Sequence, residues 1–165
     1  MLAKHPNLPK HNPNATVSSV GELLSLEGSV TEIVVDNGIG DSELTELDLS
    51  RFSQLKRLEI GDYCCMSVNE LKLIGLSKLE SVVMGKNCFT DNDNGDLNRR
   101  FCLKNCPSLR ELRIGCGSFA QYSVCQIENV DGLEIVRMGD TVCEHECRCF
   151  FQSSLELKSI LIHRE

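Results

Sequence analysis

The stretch Cys143-Glu144-His145-Glu146-Cys147-Arg148-Cys149 sets three thiols and an imidazole at alternate positions. An extended chain points alternate residues the same way, and thiolate with imidazole is a donor set that zinc prefers. The spacing argues against a metal centre. Structural zinc sites draw paired ligands from two separated segments, whereas Cys143, His145, Cys147 and Cys149 crowd into one. No metal or other cofactor is assigned. These four residues would hold a metal if the chain took one, and as buried thiols they would be small core hydrophobes.

A second candidate is Asp91-Asn92-Asp93-Asn94-Gly95-Asp96, whose oxygens suit a hard cation. Set on the calcium-hand pattern with Gly95 at its sixth position, it puts Thr90 first and Phe101 last, where acidic side chains are required. A solvated loop is the preferred reading. The four histidines stand at 5, 11, 145 and 163. No phosphate loop, nucleophile elbow or metalloprotease helix accompanies them, so no catalysis is expected. Asn14-Ala15-Thr16 matches a glycosylation sequon, which matters only in a secreted chain.

An internal repeat positions all of these residues. The pattern L-x-x-[L/V]-x-[I/M]-G occurs at Leu55, Leu79, Leu109 and Leu133, and returns without its glycine at Leu157. Successive leads lie 24, 30, 24 and 24 residues apart, the longer step containing the acidic insertion. Ten residues after the lead stand Cys65, Phe89, Phe119 and Cys143. Then come apolar pairs two apart: Leu71 with Leu73, Phe101 with Leu103, Cys125 with Ile127, Cys149 with Phe151. A looser first copy runs from Val30 to Phe52. Such periodicity predicts a solenoid whose units bury a common core by stacking. The period-two apolar pairs predict two short parallel strands per turn, each turn advancing about 4.8 Å. The alternative is an α/β horseshoe with short helices on the second face. The glycine after the first strand is expected to supply a turn that other residues adopt at a cost.

Residues 1–16, rich in Pro, Asn, Lys and His, read as a flexible arm, and 17–165 as the solenoid. Apolar spacing over 17–28 predicts a short capping helix, with Ser18 or Ser19 as N-cap and Glu22 in the first turn. No cap is visible at the other end, where Leu157, Ile160, Leu161 and Ile162 would form an open edge strand prone to self-association.

The stretch Leu103-Lys104-Asn105-Cys106-Pro107-Ser108-Leu109-Arg110-Glu111-Leu112-Arg113-Ile114 resembles the cysteine-containing type of leucine-rich repeat. The two-strand unit with Phe after the glycine is similar to the BspA-like repeats of bacterial and protist surface proteins. The resemblance spans about residues 29–165. It implies a module that binds another protein, either as an intracellular adaptor or outside the cell in adhesion, and it implies no catalytic residue.

The outward positions of the first strands are the candidate binding face: Arg57, Glu59, Val83, Glu111, Arg113, Ile135 and Arg137. Mixed Arg and apolar character suits protein contacts. The 24 acidic and 17 basic residues give a net charge of −7, the wrong sign for a nucleic-acid binder. No apolar run is long enough to span a membrane, and the first residues lack a secretory signal. The ten cysteines therefore read as free thiols in the cytoplasm. The alternatives are a metal- or redox-responsive module built on the Cys143–Cys149 cluster, or a segment of a cell-surface adhesin. In the adhesin, Cys64–Cys88 and Cys125–Cys149 would be bridged.

Overall fold

The computed structural model describes residues 13–90, 98–139, 148–150 and 153–158. Among them it is mainly β, with two parallel sheets and one short helix. The first sheet has the order β1 (Asn14–Val17), β2 (Glu32–Val35), β4 (Arg57–Ile60), β6 (Ser81–Met84), β8 (Glu111–Ile114), β10 (Ile135–Met138). The second runs β3 (Glu46–Asp48), β5 (Glu70–Ile74), β7 (Arg100–Lys104), β9 (Val124–Glu128), β11 (Ser154–Lys158). From β2 onward the chain alternates between the sheets, each visit adding one strand on the same side. The second face is therefore a sheet, and the helical alternative does not hold there.

Period-two patterning explains the pairing. Ile33, Leu58, Val82 and Leu112 are Cα partners in succession, as are Val35, Ile60, Met84 and Ile114, and all eight are buried. In the second sheet, Leu71–Phe101–Cys125 and Leu73–Leu103–Ile127 form the facing columns, also buried. A one-residue slip would turn every one of these side chains to solvent, so burial fixes the register.

The recurring glycines after the first strands have two causes. Gly139 has the left-handed φ expected of a turn glycine, at 92°, whereas Gly61, Gly85 and Gly115 are not among the residues with positive φ. These three sit where successive turns touch backbone to backbone. A Cβ on Gly85 would lie 2.7 Å from Asp62 N, and one on Gly115 would lie 2.7 Å from Lys86 N. The left-handed positions come two and four residues later, at Tyr63, Asn87 and Gly117 and at Cys65, Phe89 and Phe119. An aromatic residue costs about 1–2 kcal/mol in that conformation. Ring stacking offsets it: Phe89 lies on Phe119 with centroids 4.7 Å apart, and Phe119 on Phe150 at 4.9 Å.

That stack corrects the register of the last unit. Phe150, not Cys143, continues the Phe89–Phe119 column. In the second sheet, Leu155 and Leu157 pair with Cys125 and Ile127, the places expected for Cys149 and Phe151. Leu157 is thus a second-sheet residue and not the lead of another first-sheet strand. The physical reason is a second long connection. Residues 139–153 join β10 to β11, matching residues 85–99 between β6 and β7, while 61–69 and 115–123 are shorter.

At the other end, Asn14, Ala15 and Thr16, expected in the arm, belong to the first sheet, because Asn14–Val17 pairs with β2 as an edge strand; residues 1–12 lie outside the described residues. Helix α1 (Val20–Ser25) follows. Ser19 is its N-cap: Ser19 Oγ accepts from Glu22 N at 3.1 Å, and Glu22 Oε2 accepts from Ser18 N at 2.7 Å, a near capping box. Val20 and Leu23 face the core. The guanidinium of Arg51 donates to Leu23 O and Leu24 O, satisfying carbonyls the helix end leaves over.

Candidate functional site

The outward positions of the first sheet form two columns. Arg57, Ser81, Glu111 and Ile135 are successive Cα partners, and so are Glu59, Val83, Arg113 and Arg137. All seven candidate binding residues therefore lie on one continuous face. Glu32 and Val34 extend the columns at one end.

Charge on this face is unevenly paired. Arg57 bridges Glu59 at 2.7 Å, and Arg113 bridges Glu111 at 2.5 Å, each within its own strand. Ser81 Oγ also donates to Glu111 Oε2 at 3.4 Å. Arg137 makes no ion pair among the described residues, yet its Cα partner is Arg113. Beside these two arginines is a shallow depression of about 320 Å³, lined also by Val83, Lys86 and Asp62 and floored by Gly85 and Gly115. Its two guanidiniums and adjoining apolar side chains suit a carboxylate flanked by a hydrophobic group.

The outer face of the second sheet is closed on itself. Lys72 bridges Glu46 at 2.6 Å and Glu70 at 3.3 Å, Lys104 bridges Glu128 at 3.5 Å, and Lys158 bridges Glu156 at 3.2 Å and Glu128 at 3.8 Å. The partners Glu46 and Glu70 raise the Lys72 pKa.

The thiols are placed by the same turns. Cys88 Sγ donates to Gly61 O at 2.9 Å, Ser118 Oγ to Gly85 O at 2.8 Å, and Cys149 Sγ to Gly115 O at 3.1 Å. A short donor here satisfies the carbonyl of the glycine one turn earlier. This is the role of Cys149, which is neither a facing-column residue nor placed opposite Cys125. The other three residues of its cluster, Cys143, His145 and Cys147, lie outside the described residues, as does the loop Asp91–Asp96. Among the described residues, no three His, Cys, Asp or Glu side chains converge as a metal site requires.

Cys64, Cys65, Cys88, Cys102, Cys106 and Cys125 are buried free thiols. Cys64 and Cys88 are buried neighbours one turn apart and unbridged, and Cys64 Sγ donates to Asp36 O at 3.1 Å. The mutual influence of the two thiols holds Cys64 down, to about 7, and pushes Cys88 up. Burial pushes Cys65 and Cys125 up to about 12. Two contributors escaped sequence reasoning because nothing in their spacing marks them. Ser118 both donates to Gly85 O and accepts from Cys88 N at 3.0 Å. Buried Tyr122 donates to Val68 O at 2.5 Å and packs edge-on against Phe119.

No helix of the described residues is long and apolar enough to cross a membrane. Comparison with protein-family models, with curated proteins and with solved structures finds no match for this chain.

Proposed function

We propose that this chain is a leucine-rich-repeat-like solenoid that works as a protein-binding module without catalysis. The strict alternation between two parallel sheets supports the architecture, since 24- and 30-residue repeat steps coincide with single strand steps along each sheet. The observation that carries the function is the contrast between the two outer faces. The second sheet neutralises its own charges in ladders. The first presents Arg137 beside Arg113 with Val83 and Ile135 adjoining, and a partner supplying a carboxylate and an apolar side chain would complete it. The usage of the thiols as packing groups and carbonyl donors supports a reducing, cytoplasmic setting over a cell-surface one.

The test compares affinity capture by three forms of the protein. Arg113→Glu with Arg137→Glu reverses the face, and Lys72→Glu perturbs the second sheet. Partners held by the unaltered chain should drop at least tenfold on the first variant and persist on the second. Equal capture by all three would sink the reading.

A further inference from the structure

The two sheets end differently from how they begin. Val136 and Met138 on β10 occupy the columns of Val82–Leu112 and Met84–Ile114, whose members are essentially inaccessible. At β10 they are 50% and 38% exposed. Leu155 and Leu157 on β11 continue the Phe101–Cys125 and Leu103–Ile127 columns and are 54% and 66% exposed. With Val130 and Leu133 these residues line an apolar groove of about 560 Å³ between the sheet ends. Among the described residues, β10 and β11 are the last strands of their sheets, so each also offers a row of backbone groups.

We infer that this groove is the contact surface for a second copy of the same chain, arranged tail to tail about a two-fold axis. The opposite end of the molecule decides the symmetry. There, α1 covers the core with Val20 and Leu23, and Arg51 closes the helix carbonyls. Among the described residues, that end has its apolar columns covered by the helix, so a head-to-tail stack, which would grow into filaments, would leave the open groove without an apolar counterpart. A two-fold pairs the open end with itself.

Charge selects the register. In β11 the order is Ser154-Leu155-Glu156-Leu157-Lys158. Antiparallel pairing about Leu157 sets Leu157 against its own copy. It places Glu156 opposite Lys158 on both sides of the axis, an opposite-charge pair made twice. The corresponding β10 strands would then close over Val136 and Met138, burying the groove from both copies.

Sedimentation equilibrium of the full chain over about 1–300 µM tests this. The expected result is a monomer–dimer equilibrium without larger species. Leu157→Glu and Val136→Glu should each raise the dimer dissociation constant at least tenfold. Leu24→Glu, on an exposed residue of the capped end, should leave it unchanged. Because the two groove residues are half exposed or more, circular dichroism should report folded variants, and Leu155→Glu supplies a third if one fails to fold. A strict monomer overturns the proposal, including a monomer that dimerises only when residues 159–165 are removed, which would give the groove to that segment. So does a dimer indifferent to all three groove substitutions, or growth beyond the dimer. None of these outcomes depends on the partner-binding face.

Discussion

The two ends of this molecule carry the same kinds of column and finish them in opposite ways. At the N-terminal end, a six-residue helix lays Val20 and Leu23 over the core, with β1 pairing the edge of the first sheet. At the other end of the described residues, Val136, Met138, Leu155 and Leu157 keep the places of buried residues while meeting solvent. The lesson concerns what a stacked sheet pair needs. Each inner turn is buried by its neighbours on both sides, so the sequence of the turn hardly has to change. Only the ends require a special element, and among the described residues one end has a helix over its columns and the other does not.

The largest expected effect separates the ends directly. Leu23→Ala opens a cavity under the capping helix and should cost about 2–5 kcal/mol in urea unfolding. Leu157→Ala removes a larger share of exposed surface than of core and should cost under about 1 kcal/mol at concentrations where the chain is monomeric. Equal costs would mean that the open end is covered in the monomer, and the contrast drawn above would fail.

Alkaline titration sharpens the comparison with one chemistry at two depths. Cys65 and Cys125 are both held at about 12 by burial, against an ordinary thiol value of 9.0. A thiol with a raised folded pKa contributes stability that is whole below pH 9 and is lost as the pH climbs toward 12. Buried Cys102, Cys106 and Tyr122 shift the same way. Cys64 and Cys88 titrate as a pair, the first shifted down and the second up, so the gain from ionising Cys64 is opposed by its neighbour. Melting temperature should therefore hold to pH 9 and fall steeply above it. Cys125→Val should make the fall shallower. Cys125 is one strand from the open end, so a thiol reagent at pH 8 should label it before Cys65 if that end admits water. Labelling Cys65 first would reverse the assignment of which end opens.

Much of this was legible in the residues. Strict alternation at Leu58–Ile60, Val82–Met84 and Leu112–Ile114 fixed the first sheet and the seven outward candidates. Ser19 and Glu22 marked the cap, since local hydrogen bonding makes its own signature. The last unit was misread because its long connection is not written in Asn, Asp and Gly as the first one is. Cys149 and Phe151 mimic an apolar pair, and only the stack of Phe150 on Phe119 places the break. The glycine column is visible in the spacing, but a turn-forming φ explains only Gly139 and not Gly61, Gly85 or Gly115. A recurring glycine has the same appearance whether it is required by φ or by a backbone passing at van der Waals contact. That Arg137 makes no ion pair among the described residues depends on neighbours from other strands, which no single stretch of sequence displays.

The smallest effect probes what closes the capped end. Arg51 donates to Leu24 O at 2.8 Å and Leu23 O at 3.2 Å, and its guanidinium lies 4.4 Å from the centroid of the Phe52 ring. Arg51→Met keeps an apolar stem over Phe52 but removes both hydrogen bonds and the cation–π contact. The site is partly solvated, so the loss should be about 1 kcal/mol. Arg51→Lys offers a point charge in place of a planar fork and should recover only part of it. Hydrogen exchange locates the effect. Amides of residues 20–26 should exchange faster in Arg51→Met while those of β8 and β10 keep their rates, because columns of locally stacked turns transmit little over four strands. Faster exchange at both ends would show instead that the ends are coupled through the core, and the helix would then be part of one cooperative unit with the open groove.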